Sequence, residues 1–375
     1  MKSRLFDLVK NFGGWTTKRK IVIIAVDDYG NARMASKKAK QILTEKGILD
    51  KTSFFDSYDH LETREDILKM ARVLGSVKDS NGNHAVLTPY CLTHNIDFEK
   101  TIINDFDTLY VESLPDTFQK CEEIDSNAYK HAYSTWKDCA NEKIIVPGFH
   151  GKLHFNQHLY REGLEGRDDD LIEALRQRSH ITTKRYQKYI HNWTAAFSYR
   201  MESEFDSFKT DLEEGIACFK QTYGFHPMVF TAPAQQFPYQ LDSELINQNF
   251  LAFDRPFFAK RDYGNGRFKY HNYRTGQKKE INYIVRNVVF EPKGYYGGTA
   301  VKNALYQINA AFTMNKPAVI SSHRVNFGSY IEKSIGDHGL DHLKILLDKI
   351  VLQYKNVEFM SVNQLVHLIQ KEHHV

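Results

Sequence analysis

Two histidines four residues apart, His150 and His154, could together hold a metal ion. Neutral imidazole is a common ligand of zinc and related divalent ions. If the segment is helical, both rings lie on one face and can point at one ion, whereas on a strand they would stand roughly 13 Å apart. A zincin protease would need a glutamate directly after the first histidine, and Gly151 stands there instead. The pattern predicts a metal pair, with two structural histidines as the alternative.

A hydrolytic metal site generally has three protein ligands and one open position, so the histidine pair needs a carboxylate. The residues from Lys20 to Val26 are typical of a buried strand, which ends in Asp27 and Asp28. Adjacent side chains of an extended chain point in opposite directions. One aspartate could therefore ligate the ion while the other stays off it and moves a proton. Spacing alone leaves open which aspartate does which.

Strand-like and helix-like stretches alternate along the chain, which is the pattern of a parallel α/β sheet and, in its closed form, of a (β/α) barrel. Helical periodicity predicts helices at 32–47 and 64–74, and the residues at 52–56 predict a short strand. In such barrels the functional residues gather at the carboxyl ends of the strands. The residues that end predicted strands include Asp27, Asp28, His150 and His323. Further strands are predicted at 84–89, 144–149, 228–230, 250–253, 284–290 and 317–322.

The chain of 375 residues, 42% of them hydrophobic, is long enough to bury a large core. Its nine prolines are dispersed, and no Gly/Ser-rich linker marks a domain boundary. We therefore predict an N-terminal segment at 1–19 and a single barrel domain at 20–375. The charged, irregular residues around 160–205 are interpreted as a helical insertion in that domain.

The net charge is +4, from 50 basic and 46 acidic residues that are interspersed, which argues against nucleic acid as a partner. The residues from Met1 to Lys20 lack the apolar core of a signal peptide, and no other stretch has transmembrane length. The four cysteines show no metal-binding or disulfide spacing and are interpreted as free thiols. These features predict a cytoplasmic enzyme and leave its oligomeric state open.

With these positions in hand, the chain resembles the polysaccharide deacetylase superfamily, the metal-dependent carbohydrate esterases built on a distorted (β/α) barrel of the NodB type. The aspartate pair resembles the family's first motif, the histidine pair resembles its second, and His323 after an apolar strand resembles its last. A divergent bacterial group of the family is similar in further segments. Those segments are His150 to Asn156, Arg286 to Pro292 and Ser321 to Phe327.

The resemblance implies a role for each matched residue. Asp27 would be the catalytic base and His323 the proton donor to the leaving amine. The metal ligands would be Asp28, His150 and His154, around zinc or, as alternatives, Co²⁺ or Ni²⁺. The activity would be removal of an acetyl or other acyl group from an N-acetylated sugar or polysaccharide, so the implied partner is a carbohydrate. Residues interpreted as supporting the site or binding substrate are Asn156, His94, Asn95, Arg286 and Arg324.

The sequence departs from the family pattern in two places. Tyr29 separates the aspartate pair from Gly30, and the arginine of the third motif is absent from 231–234. We expect Arg286, rather than Arg255 or Arg324, to steady the base in its place. Two alternatives remain open: a barrel without turnover that binds a glycan or a protein, and a deacylase of a small nucleotide-linked or lipid-linked sugar.

Overall fold

Eight parallel strands form a nearly closed barrel in the computed structural model, which describes residues 2–183, 193–277, 281–292 and 297–373. This confirms the predicted distorted (β/α) barrel. The barrel strands, in the order in which they pair, are β10 (Asn282–Arg286), β7 (Ala252–Pro256), β6 (Val229–Phe230), β5 (Gly148–Gly151), β2 (Leu87–Leu92), β1 (Lys20–Tyr29), β12 (Ala318–His323) and β11 (Val288–Val289).

The first strand, β1, is paired on both sides. It pairs in parallel with β2 on one side and β12 on the other, and β13 (Val357–Phe359) adds a short pairing at its beginning. The side chains from Ile21 to Val26 are at most 1% exposed. A parallel strand that is covered on both faces has to be apolar throughout, which explains the unbroken run of aliphatic residues.

Two short antiparallel pairs lie outside the barrel, β3 (His94–Ile96) with β4 (Val111–Ser113) and β8 (Phe258–Asp262) with β9 (Phe268–Asn272). In the part of the chain that the structure describes, no helix combines the length and apolarity needed to cross a membrane. The helices are α1 (Lys2–Val9), α2 (Lys37–Glu45), α3 (Phe54–Tyr58), α4 (Arg64–Gly75), α5 (Phe98–Ile103), α6 (Leu114–Ile124), α7 (Ser126–Tyr129), α8 (Ala132–Asn141), α9 (Gln157–Glu165), α10 (Asp169–Arg176), α11 (Phe205–Tyr223), α12 (Asp242–Asn247), α13 (Ala300–Thr313), α14 (Lys333–Gln353) and α15 (Val362–His373).

The strand predicted at 52–56 is wrong, because these residues begin α3. The hydroxyl of Ser53 accepts a hydrogen bond from the backbone N–H of Asp56, as in a helix N-cap. The two aromatic residues between them favoured a strand by propensity, but the local N-cap stabilises a helical backbone. Of the predicted insertion, residues 184–192 lie outside the described residues, and the rest includes α10 and most of α9.

Candidate functional site

The two aspartates at the end of β1 lie at an irregularity in its pairing with β2. The register slips between Val26 and Tyr29, and Asp28 has a φ of 75°. A left-handed backbone is rare for a residue other than glycine and is typical of strained, functional positions. Such a bulge turns a side chain away from the regular alternation of a strand. The backbone therefore sets the different directions of Asp27 and Asp28.

The two histidines would share one face if residues 150–154 were helical, but this segment is not a helix. His150 lies in β5, and the strand ends at Gly151, which has a φ of +104°. That dihedral favours glycine, and it turns the chain so that His154, three residues later, comes back beside the strand. The ring centroids of His150 and His154 are 5.2 Å apart. A tight turn thus brings the two imidazoles together, as a helix would have done.

Asp28 and the two histidines form one buried cluster whose potential ligand atoms all lie within 4.8 Å of one another. Oδ1 of Asp28 is 3.0 Å from Nε2 of His154 and 3.4 Å from Nε2 of His150. Burial opposes ionisation of Asp28, but the histidines outweigh it and hold its pKa well below the usual value. The carboxylate is therefore ionised, as a metal ligand must be.

The hydrogen bonds of His150 fit a metal ligand. Its Nδ1 lies 2.8 Å from the carbonyl oxygen of Thr231, which can only accept, so Nδ1 carries the proton and Nε2 keeps a free lone pair. Nε2 of His150 and Oδ1 of Asp28 are buried and have no hydrogen-bond partner among the described residues. Buried polar atoms without partners are costly. A divalent ion between them would satisfy both, so the cluster could hold a metal.

The other aspartate, Asp27, is held by Arg286 in a two-fold hydrogen bond. Nη1 and Nη2 of Arg286 donate to the two carboxylate oxygens, each over 2.7 Å. Nε of Arg286 donates to the buried Asp254 over 2.8 Å, and Asp254 also accepts from the hydroxyl of Tyr90. Burial would raise the pKa of Asp27, but Arg286 and His150 outweigh it and lower that pKa. Arg286, rather than Arg255 or Arg324, is therefore the arginine that contacts the predicted base.

His323 ends β12 directly opposite Asp27 in the paired strand. Its Nδ1 is 2.7 Å from Oε1 of Glu291. Burial disfavours the charged ring, but Glu291, together with Asp28 and Asp27, outweighs that effect and raises the pKa of His323 to about 10. The ring edge also contacts Phe55, with centroids 5.0 Å apart. This histidine is protonated at neutral pH, as a proton donor must be.

These side chains share a single cavity of about 360 Å³ at the carboxyl ends of the strands. It is open on one side and is large enough for one monosaccharide unit with its substituent. All five residues predicted as base, proton donor or metal ligand line it. The full lining comprises Asp27, Asp28, Arg33, Ser53, Phe55, Asp56, His150, His154, Thr182, Thr194, Ala234, Gln235 and His323.

Two of the other predicted residues hold the loop that follows the aspartates. Asn95 donates to the carbonyl oxygen of Gly30 over 2.9 Å and accepts from the N–H of Ala32. Arg324 donates to the carbonyl oxygen of Asn31 and is paired with the buried Asp59 and Glu62. Neither side chain lines the cavity. Both support the loop rather than meet a substrate directly.

The two remaining predicted residues lie around the loops near the cavity. Asn156 caps α9, accepting from the N–H of Leu159 and donating to the carbonyl oxygen of Ser198. These hydrogen bonds thereby fix the path of the backbone after His154. His94 shares a hydrogen bond with the hydroxyl of Thr93, and burial and Lys152 lower its pKa to about 4. His94 is outside the cavity lining.

A second acidic group, formed by Asp97, Glu99 and Glu112, is close enough together to hold a cation. Nζ of Lys120 lies among these carboxylates, 2.7 Å from Asp97 and 3.6 Å from Glu99, and is also paired with Glu112. The lysine supplies the positive charge that an ion would otherwise bring. This group is an ion-pair cluster.

Sequence reasoning missed three residues that orient the site: Thr231, Asp254 and Glu291. Each follows a predicted apolar strand directly, at 228–230, 250–253 and 284–290. The rule that polar residues at strand ends meet at one edge of a parallel sheet would have found them. They were missed because their partners His150, Arg286 and His323 lie tens of residues away in the chain, and a linear motif does not reveal such contacts.

The comparisons with known proteins concern the fold. No family model matches the chain, and no curated protein matches its sequence. A protein assigned as a polysaccharide deacetylase from Mycobacterium smegmatis is 12% identical, with a TM-score of 0.44 over 96% of this chain and 93% of that one. A 4-alpha-glucanotransferase from Thermococcus litoralis is 7% identical, with a TM-score of 0.45 over 92% of this chain and 40% of its own. Peptidoglycan deacetylase PdaC from Bacillus subtilis is 8% identical, with a TM-score of 0.33 over 95% and 94%. Polysaccharide and peptidoglycan deacetylases are thus among the solved structures to which this chain is similar in fold.

Proposed function

We propose that this chain is a metal-dependent hydrolase that removes an acetyl or other acyl group from an N-acetylated sugar. The proposal rests on one observation. A single cavity is lined by a potential metal cluster, by a carboxylate that Arg286 orients and by a histidine that Glu291 keeps protonated. A ligand set, a base and an acid around one opening are the parts that hydrolysis of an amide requires.

The residues that would hold the ion are Asp28, His150 and His154. Two imidazole nitrogens and one carboxylate oxygen suit zinc, with Co²⁺ and Ni²⁺ as alternatives. When bound, such an ion supplies a Lewis acid that polarises a carbonyl oxygen and lowers the pKa of a water molecule. The rest of the chemistry belongs to side chains of this chain.

Asp27 is the group that would take a proton from the attacking water. Its lowered pKa keeps it ionised at neutral pH, and the two hydrogen bonds from Arg286 hold both oxygens in place. His323 would return a proton to the leaving amine nitrogen. Because Nδ1 is engaged with Glu291, the proton to be given away is the one on Nε2. Base and acid therefore come from neighbouring strands that face one cavity.

The pairing of His323 with Glu291 predicts a pH effect. A raised pKa means that activity persists while His323 is protonated and declines as the pH rises through that pKa. Glu291→Gln removes the negative charge, so the pKa should fall towards its ordinary value of about 6.5. The alkaline limb of kcat/KM should then shift to lower pH, as measured by a pH-rate profile. Glu358→Gln, at a surface pair with Arg19, is the control that should leave the limb unchanged. An unshifted limb in Glu291→Gln would contradict the role of His323 as the acid.

The proposed function is tested by metal analysis combined with acetate release. Purified protein should contain about one divalent ion per chain, and it should release acetate from at least one member of a panel of N-acetylated sugars. The panel should include monosaccharides, nucleotide-linked sugars and polymers, because the cavity alone does not distinguish them. Chelation should stop the release, and zinc should restore it. Protein that neither contains nor rebinds a metal, or that releases no acetate from any of them, would refute the proposal.

A further inference from the structure

The cavity of the candidate site has few apolar walls. Thirteen described residues line it, and all but Phe55 and Ala234 have polar or charged side chains. A sugar ring carries hydroxyl groups at its rim and carbon-bound hydrogens on its two faces, so a site that holds one combines polar groups with a flat apolar surface. Alanine offers only a methyl group. Among the residues that the structure describes around the cavity, Phe55 therefore provides the one apolar surface as large as a sugar face.

The local structure holds the ring of Phe55 in a defined position. Phe55 is partly exposed and is the second residue of α3, behind the N-cap at Ser53. The next residue, Asp56, is 4% exposed and accepts hydrogen bonds from Nε of Arg33 over 2.9 Å and from the hydroxyl of Ser53 over 2.7 Å. The guanidinium of Arg33 also lies 5.8 Å from the centroid of the Phe55 ring. Because an aromatic side chain has only two rotatable bonds, little conformational freedom is lost when a ligand packs against it.

The ring of Phe55 lies beside the proposed proton donor. It meets the ring of His323 nearly at right angles, with an angle of 85° and centroids 5.0 Å apart. Nδ1 of His323 is engaged with Glu291, so the proton that goes to the leaving amine is the one on Nε2. The amine nitrogen has to come within hydrogen-bond distance of that atom, at about 3 Å. The chemical group attached to the nitrogen is therefore next to Phe55.

The acyl group is on the other side of the bond that is broken. Its carbonyl oxygen has to face the proposed ligand cluster, since the ion polarises that oxygen. Ala234, the other apolar residue of the described lining, follows Thr231 by three residues, and the carbonyl oxygen of Thr231 accepts a hydrogen bond from Nδ1 of His150. The loop that holds this ligand thus offers a methyl-sized apolar contact. Ala234 therefore suits a small acyl group, and Phe55 suits the leaving group.

We propose that Phe55 selects the leaving group: the site favours a cyclic amine, such as an amino sugar, whose apolar face packs against the Phe55 ring while His323 protonates its nitrogen. The inference rests on the proposed function and adds to it a specificity-determining residue. An acyclic amide with the same acyl group can still present its carbonyl oxygen to the ion, but it has no flat face to cover the phenyl ring. Selection should therefore act on the leaving group rather than on the acyl group.

The test compares acetate release from two acetamides that share the acyl group. The cyclic one is N-acetylglucosamine, or whichever N-acetylated sugar of the panel releases acetate fastest, and the acyclic one is N-acetylethanolamine. Phe55→Ala should lower kcat/KM for the sugar by about tenfold or more, mainly through a higher KM, since a tenfold effect corresponds to about 1.4 kcal/mol of aromatic contact. For the acyclic amide, kcat/KM should stay within about twofold of the wild-type value. Phe55→Tyr keeps the ring and should retain the preference for the sugar.

Phe54→Ala is the matched control, because Phe54 is a partly exposed aromatic residue of the same helix and is not among the described residues of the cavity lining. Its kinetics should match those of the wild type on both acetamides. Phe55→Leu removes the flat face but keeps apolar volume, so it should show the same loss as Phe55→Ala with less disturbance of the fold. Melting temperatures of all variants are measured alongside.

Three results would overturn the inference while leaving the proposed function intact. They are a wild-type chain that hydrolyses the sugar no better than the acyclic amide, unchanged sugar kinetics in the Ala and Leu variants of Phe55, and an equal loss on both acetamides through kcat. The last of these would mean that Phe55 only positions His323. A wild-type chain that releases acetate from no N-acetylated sugar would instead refute the proposed function itself.

Discussion

Replacing Asp28 with alanine is expected to leave a folded protein that no longer retains a divalent ion. Asp28 contributes the carboxylate of the proposed ligand cluster, and its Oδ1 faces both histidines within 3.4 Å. Loss of an outer partner of a metal ligand typically costs 10- to 100-fold in affinity, so loss of the ligand itself should cost more than about 100-fold. Metal content after dialysis and calorimetric rebinding of zinc would measure this, and activity should fall with the metal.

Asp28 has a left-handed backbone, so alanine there adds strain that is independent of the metal. Asp28→Asn avoids this strain, because asparagine tolerates that conformation, and it should also lose the ion because a neutral amide is a poor ligand. Asp206→Ala removes an exposed carboxylate from α11 and should change neither metal content nor melting temperature. A folded Asp28→Asn protein with wild-type zinc affinity would exclude Asp28 as a ligand.

The second large effect is expected at the neighbouring residue. Asp27→Asn keeps the size of the side chain but cannot accept a proton, so the variant should keep its metal while kcat falls by roughly 10² to 10⁴. His323→Ala should behave in the same way, because it removes the group that returns the proton. Steady-state kinetics on the best acetylated sugar, with metal content measured on the same samples, would separate these variants from those at Asp28.

Asp254→Asn is the matched control, since it removes a carboxylate from the same Arg286 without reaching the cavity. It should reduce kcat much less than Asp27→Asn does. Equal losses would assign the effect to the arginine pairing rather than to proton transfer. If Asp27→Asn lost the metal and Asp28→Asn retained it, the roles of the two aspartates would be exchanged.

The alternation of strands and helices and the polar residues at strand ends could be read from the amino-acid sequence alone. Apolar runs such as Ile21 to Val26 must be buried on both faces, which requires parallel strands covered by helices. Parallel strands have their carboxyl ends at one edge. For that reason Asp27, His150 and His323, far apart in the chain, could be expected at one site before any contact was known.

Only the tertiary structure determined the directions in which these side chains point. The bulges at Asp28 and at His150 both arise where β1 and β5 slip in register against their shared neighbour, β2. A local sequence pattern does not predict the pairing of strands that lie tens of residues apart in the chain. The turn at Gly151, which brings the two histidines together without a helix, likewise depends on how β5 ends against its neighbours.

The fold also determined the partners of the proposed catalytic groups. Of three candidate arginines, Arg286 reaches Asp27 from the end of β10, while Arg324 contacts the buried Asp59. Glu291 meets His323 only because β11 pairs with β12. Residue type and strand-end position are local properties of a sequence. Side-chain direction and pairing follow from register and barrel closure, which contacts between distant segments determine.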